Sequence, residues 1–446
     1  MENKIFSLIN AETIDIVKLN TLLSEMNTVD IAETFEALDK IKKIQLFRLL
    51  PKAIAADVFN CMDTDGRQVI IEALTDTEVG NIINKLFADD AVDLIEEMPA
   101  NMINRLLNNI LPEKREIINS LLQYPENSAG SIMTTEYVAL SENSTVREAF
   151  NEIRATGVDK ETIYTCYVIR RDHLLLGAVS VKKLILSKSH ERIGDIMDTS
   201  ILFVKTTDDN ETTANQFQKY GLMAMPVVDK EQRLVGIITV DDIVDIIVEE
   251  DTKNIEKMNA LAPSDEPYLK TGVFKLARNR FFWLLFLMLS AVLTGLIITN
   301  FEEGLAVMPV LMAFIPMLMD TGGNAGSQSS ALIIRGMAVG EIRQRDIIRI
   351  IWKEVRVALL CGLGLGFINF MRVFIMNGQN IMLCITVTLT LCCTLLISKT
   401  VGCILPIIAK RVKIDPAIMA APLVTTIADA LSLVVYFSIA KMLLKL

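Results

Sequence analysis

Asp429 lies in the run APLVTTIADALSLVVYF, whose other members are all apolar or hydroxylic. If that run crosses lipid as a helix, at ~1.5 Å per residue the carboxylate sits near mid-membrane. A carboxylate there costs several kcal/mol unless it faces water or a cation, so it reads first as a functional site. The alternative is an Asp that caps or hydrogen-bonds a neighbouring helix. Thr425 and Thr426, one turn earlier, are either back-bonded or pore-lining. A second stretch, PMLMDTGGNAGSQSSALIIRG (316–336), puts an acid, three closely spaced glycines, an amide pair and hydroxyls into an otherwise apolar segment. Irregular backbone is tolerated at that depth only where it is shielded by protein or lines a cavity. Gly322, Gly323 and Gly326 are therefore expected to turn carbonyls toward an ion, with Asn324 and Gln328 adding oxygens; a small-residue packing interface is the competing reading. Asp320 either caps the expected break or adds negative potential to the path.

Every one of these candidate ligands is an oxygen: carboxylate, amide, hydroxyl or carbonyl. Oxygen donors suit hard cations such as Mg²⁺, Ca²⁺ or Mn²⁺. One membrane carboxylate per chain is sparse for a divalent ion, and two chains about a two-fold axis would pair the Asp429 residues. Acids also cluster outside the apolar segments: Asp89, Asp90 and Asp93 in FADDAVD, Asp209 and Glu211 in TTDDNET, and Asp241, Asp242, Asp245, Glu249, Glu250 and Asp251 in TVDDIVDIIVEED. Apposed carboxylates repel and divalent ions bridge them, which makes such clusters a two-state element biased by internal cation. Taken singly, each of these acids also fits a solvated surface.

These residues need elements to hold them. Apolar positions recur at 3–4 spacing through residues 1–130, which predicts consecutive short helices in an acidic α-superhelical domain. Residues 131–250 carry an internal duplication: GSIMTTEYVAL (130–140) and GDIMDTSILFV (194–204), each followed by a helix, a strand, the turn RRDH or DKEQ, the strand LLLGAVSV or RLVGIITV, and a helix. This βαββα pair resembles a tandem CBS (cystathionine-β-synthase) module. Residues 251–275 read as a connecting helix with a proline-containing break. Residues 276–446 hold five apolar spans, roughly 281–299, 306–334, 350–376, 381–408 and 417–443, each near the ~20 residues that cross hydrocarbon.

Charge follows the same division. Of 44 Lys/Arg and 54 Asp/Glu, 13 and 8 lie from Phe281 onward, a net +5, leaving −15 for the first 280 residues. Such acidity excludes nucleic acid as a natural partner. The basic loops RGMAVGEIRQRDIIRIIWKEVR and AKRVKID read as cytoplasmic and NFEEG and NGQN as external, which places the N-terminal domains inside and the C-terminus outside. MENKIFSLIN lacks a basic start followed by an apolar run, so no signal peptide is expected. The seven cysteines lack metal-ligand spacing, and His173 and His190 fall in loops and read as solvated.

With PMLMDTGGNAGSQ and PLVTTIAD in place behind an acidic helical domain, a CBS pair and a connecting helix, essentially the whole chain resembles the MgtE family of magnesium channels. The resemblance implies a homodimeric, Mg²⁺-selective, non-enzymatic pore in a bacterial-type inner membrane, closed by intracellular Mg²⁺. It implies that Asp429 is the ion-binding pore carboxylate, with Asn324 and the Pro422 region near the inner mouth and Asp415 at the cytoplasmic end. Divalent bridging is implied at Asp89 or Asp90, Asp93, Asp209, Glu211, Asp242, Asp245 and Glu250, with Glu249 beside them. Gly221, Lys253 and Asn254 stand where acids are expected, which implies weaker or differently set closure. The CBS resemblance implies ATP at a Thr-x-x-Asp element, here Thr239 and Asp242; the first repeat has Ser180 and Lys183 instead. A gradient-coupled divalent-cation exchanger and a nucleotide-sensing membrane receptor are the competing functions.

Overall fold

Side-chain caps start many of the N-terminal helices where the sequence places Asn, Asp and Thr. The computed structural model describes residues 16–263, 268–269, 271–376, 380–419 and 421–445. It opens with α1 (Ile16–Ser24), α2 (Thr28–Glu36), α3 (Lys40–Leu49), α4 (Ala55–Asn60), α5 (Thr64–Ala73), α6 (Asp76–Ile83), α7 (Ala88–Glu97), α8 (Ala100–Asn108) and α9 (Pro112–Leu121). Asn27, Asp39, Asp63 and Thr75 each accept a backbone N–H at a helix start, and Thr75 and Glu78 close a reciprocal capping box. Packing skips one helix at a time: α2 on α4, α3 on α5, α4 on α6, α6 on α8 and α7 on α9. Phe35, Phe47 and Phe59 meet edge-to-face in the core of this array.

The duplicated stretch folds as two matching three-stranded sheets. β1 (Ala139–Ser141) pairs parallel with β2 (Thr165–Ile169), which pairs antiparallel with β3 (Leu175–Ser180); β4 (Val204–Lys205), β5 (Ala224–Val228) and β6 (Leu234–Thr239) repeat the order. α10 (Val146–Thr156), α11 (Val181–Leu186), α12 (Ile193–Ile196) and α13 (Asn210–Tyr220) lie between the strands, and α14 (Val240–Met258) follows the last. Even the turns match: His173 and Gln232 both adopt φ 64°, and Leu175 N–H and Leu234 N–H bond across to Gln232 and His173 carbonyls. The helical domain shares one hydrophobic core with the second sheet while the first sheet keeps a core of its own, and all three belong to one compact unit, which divides from the rest between Ile247 and Val248. α14 runs through that division without a break, so the expected connecting helix is the second half of the last CBS helix.

The second unit holds α15 (Val273–Asn300), α16 (Glu302–Val307), a 3₁₀ turn (Pro309–Phe314), α17 (Ile315–Ala338), α18 (Ile347–Met376), α19 (Ile381–Arg411), a 3₁₀ turn (Pro416–Met419) and α20 (Ala421–Leu444). Among the described residues four helices are long and apolar enough to cross a membrane: α15, α18, α19 and Pro422–Leu444 of α20. α17, at 24 residues, is long enough but too polar to join that set. Residues 377–379 of the NGQN loop lie outside the described residues. α17, α19 and α20 pack on one another, with α18 against α19 and α15 against α20. Their core includes Leu318, Leu391, Leu395 and Leu433, and the buried Tyr436 hydroxyl donates to the Leu311 carbonyl at 2.9 Å.

The expected glycine break is absent. α17 is continuous from Ile315 to Ala338, through Gly322, Gly323 and Gly326, so these glycines do not turn carbonyls toward an ion. They let helices meet backbone to backbone instead. A Cβ at Gly326 would stand 2.8 Å from Val424 Cγ1 and 3.1 Å from the Ser398 carbonyl oxygen, and one at Gly402 of α19 would run into the Gly326 carbonyl. Gly402→Ala is therefore expected to destabilise the membrane unit by about 1–3 kcal/mol through overpacking. A denaturant midpoint for detergent-solubilised Gly402→Ala equal to the parent's would show that the helices can part without loss.

Candidate functional site

Because one face of α17 is spent on packing, its polar residues are sorted to the other. Pro316, Asp320, Asn324 and Gln328, four apart, are exposed, whereas Gly322, Gly323, Gly326 and Ser329 are buried. The continuous helix rules out the reading of Asp320 as the cap of a break. Its carboxylate is instead close enough for its charge to act on Asp429. Asp429 borders the glycine face from α20: its Oδ1 would lie 3.5 Å from a Cβ at Gly323, and the same Cβ would be 3.1 Å from Thr425 Cγ2. Oδ1 is buried and bonded to nothing among the described residues. The neighbouring hydroxyls do not serve it, since Thr425 and Thr426 both donate to the Pro422 carbonyl at 2.9 Å. A half-exposed carboxylate with a free buried oxygen, beside a stripe of acid and amide oxygens, is suited to a hard cation that keeps much of its water.

At the other end of the second unit, Asp415 is fully engaged. Oδ1 accepts the Ala417 N–H at 2.9 Å and caps the 3₁₀ turn, while Oδ2 pairs with Lys257 Nζ of α14 at 2.8 Å. Lys253, one turn earlier, bridges Glu249 at 2.7 Å and Glu250 at 3.1 Å. Three acids marked by sequence as divalent ligands thus have ammonium partners here.

A group of mutually repelling acids lies where α7 meets the CBS pair. Asp89 is 7% exposed, with Oδ1 buried and unpartnered among the described residues. Burial, then repulsion from Asp242, Asp90 and Glu161, pushes its carboxyl up to about 9. Asp93 rises to about 7, again by burial and then by Asp242 and Asp90. Asp242 rises to about 6 by burial despite accepting the Thr239 hydroxyl at 2.8 Å. Glu161 rises to about 8 by burial and by Asp241, Asp90 and Asp242, and burial also raises Asp90. Lys114 is the cation beside them; burial lowers it while Glu136, Asp89 and Asp90 pull it up, and its ammonium donates to the Leu86 carbonyl.

Sequence reading found Asp89, Asp90, Asp93 and Asp242 and missed Glu161 and Lys114, which belong to no acidic run. Asp209 is exposed and caps α13 through the Thr212 N–H, Glu211 lies exposed in that helix's first turn, and Asp245 faces solvent on α14. Among the described residues no three His, Cys, Asp or Glu stand close enough to enclose a metal ion. The cluster is an assembly of carboxylates held short of ligation. The Thr239–Asp242 pair suggested for nucleotide is closed on itself and turned to the same acids.

Comparison with known proteins agrees with this architecture. Residues 315–439 match the family model for a divalent cation transporter, MgtE; residues 26–127 match the MgtE intracellular N domain, and 129–189 and 193–249 match CBS domains. The chain is 34% identical to the magnesium transporter MgtE of Thermus thermophilus over 431 residues, 96% of this chain and 95% of that protein. It is 31% identical to that of Bacillus subtilis over 94% and 92%. The crystal structure of the soluble part of a magnesium transporter aligns with TM-score 0.53 at 28% identity, covering 56% of this chain and 99% of that one. The cytosolic domain of the Mg²⁺ channel MgtE in complex with ATP aligns at 0.50 and 32%, covering 52% and 95%. A multi-pass membrane half behind an acidic helical domain and a CBS pair, matched end to end by these relatives, makes this chain a member of the MgtE family of divalent cation transporters.

Proposed function

We propose that the chain conducts Mg²⁺ across the membrane as a homodimeric channel that internal Mg²⁺ closes. The observation that carries the pathway is Asp429, with its free buried oxygen, beside the exposed Asp320–Asn324–Gln328 stripe. A polar stripe cannot face hydrocarbon, and a second copy placed against it would cover the stripes and pair the Asp429 carboxylates about one axis. The same dimer would use five spans per chain, with α17 sheltered by its neighbours. Relatives named as magnesium transporters, and oxygen-only donors, support Mg²⁺ as cargo.

Closure follows from the carboxylates around α7. Asp89, Asp93, Asp242 and Glu161 release their protons at higher pH than ordinary carboxyls because they are buried and mutually repelled. Mg²⁺ would replace those protons and draw the acids together, and its binding energy would favour the drawn-in state. Asp209, Glu211 and Asp245 would add outlying sites. ATP would meet the CBS pair at Thr239 and Asp242, in line with the ATP complex of the similar cytosolic domain. The N-terminal domains face the cytoplasm and the C-terminus the outside.

Excised inside-out patches with Mg²⁺ as the external charge carrier test this reading. Unitary currents that shut as cytosolic Mg²⁺ is stepped from zero to ~10 mM, within the range of weak oxygen sites, are expected. Gradient-driven uptake into vesicles with no unitary current would identify an exchanger and sink the channel.

A further inference from the structure

Three residues outside the candidate pathway form a charged knot inside the membrane unit. Lys399 of α19 is 7% exposed and Ser329 of α17 is 1% exposed, and Glu354 of α18 is nearly as buried. The Ser329 hydroxyl lies 2.7 Å from Glu354 Oε2, to which it donates, and accepts from Lys399 Nζ at 3.3 Å; Lys399 Nζ and Glu354 Oε2 stand 3.7 Å apart. An ammonium or a carboxylate alone would be strongly unfavourable here, and together with the hydroxyl they neutralise one another. The knot ties the three helices α17, α18 and α19 at one point.

That point adjoins a close backbone contact of the bundle. Ser329 follows Gly326 by three residues and Gly402 follows Lys399 by three, and Gly326 lies against Ser398 and Gly402. A small-residue contact brings helices near but leaves them free to slide, because it has no directional partner. A buried charge set is directional, and fixing register is its best-attested use. Asn324 lies five residues before Ser329 on the same rigid helix, so the axial position of α17 sets where the polar stripe falls beside Asp429.

We propose that Glu354 and Lys399 are positioning residues for permeation, acting through Ser329 to hold α17 at the depth where Asn324 and Asp320 share the path with Asp429. This rests on the pathway proposed above. Neither residue touches the cargo.

The test is single-channel recording of the full chain carrying Glu354→Gln with Lys399→Met, and separately Ser329→Ala. The double variant removes both charges and leaves neither unpaired, while Ser329→Ala keeps the charges and cuts their link to α17. Unitary Mg²⁺ conductance reduced at least five-fold in either variant, with the cytosolic Mg²⁺ concentration for half-closure unchanged within two-fold, is expected. A knot that served folding alone would lower thermal stability and leave the conductance of surviving channels untouched. Parent-like conductance in Ser329→Ala therefore overturns the proposal even if the double variant fails to assemble. Absence of unitary current in the parent itself would instead mark failure of the channel reading.

Discussion

Asp429→Asn will cut Mg²⁺ flux by about two orders of magnitude while the protein still folds and reaches the membrane. Asparagine keeps the shape of the side chain and removes its charge, and among the described residues Oδ1 has no hydrogen-bond partner whose loss would disturb the bundle. At an effective dielectric constant near 20, unit charges 4 Å apart attract by about 4 kcal/mol, and a divalent ion doubles that. Most of this offsets dehydration, but a net loss of about 2.8 kcal/mol is already a hundred-fold. Asp320→Asn, on the open stripe, should lower flux only several-fold, since it acts on Asp429 through space. Proteoliposomes loaded with a Mg²⁺-sensitive dye would measure both. Asp429→Asn flux within about threefold of the parent would remove this carboxylate from the path.

The second large effect is on the acid group around α7. Its folded carboxyls titrate well above the ordinary values near 4, at about 9 for Asp89, 8 for Glu161, 7 for Asp93 and 6 for Asp242. A group whose pKa is raised by folding contributes stability that is complete below its unfolded value and is lost as pH climbs through the folded one. Without divalent ion, then, α7 should be firmest near pH 4–5 and loosen progressively toward pH 9. Mg²⁺ should restore it, and restore it most at alkaline pH, where fewer protons compete. Amide exchange over residues 88–97, corrected for its intrinsic pH dependence, would follow this, and Asp89→Asn with Asp93→Asn and Asp242→Asn should flatten the profile. Equal protection across the pH range in the metal-free parent would refute the repulsion account.

The CBS duplication was legible because strand alternation and turn residues are local signals, whereas the left-handed backbone that His173 and Gln232 share within those turns was not. Four of the five expected membrane segments are apolar enough among the described residues to be legible from composition, and α17 is not. GGNAG was misread as a break because helix propensities are learned in water, whereas in a bundle a glycine gains more from close approach than it loses in freedom. α17 took the packing alternative, and Asp320 changed meaning with it. Pairings across long stretches were beyond reading: Lys257 meets Asp415 158 residues away, and nothing near Glu161, Glu354 or Lys399 announces a partner. The chemical type of the acids could be read, and their neutralisation by lysine could not.

Each of the two compact units is contiguous in the chain, and this bears on how the protein is made. Everything that surrounds Asp89, from α7 through Glu161 to Asp242, is translated before Val273 opens the first apolar helix. At about 5–20 residues per second, some 50 further residues separate Ile247 from the end of α15, an interval of roughly 3–10 s. That is ample for each CBS-sized repeat to close. The nascent chain can therefore carry a finished acidic domain on its ribosome before insertion begins, and the membrane helices enter the bilayer behind an already folded passenger.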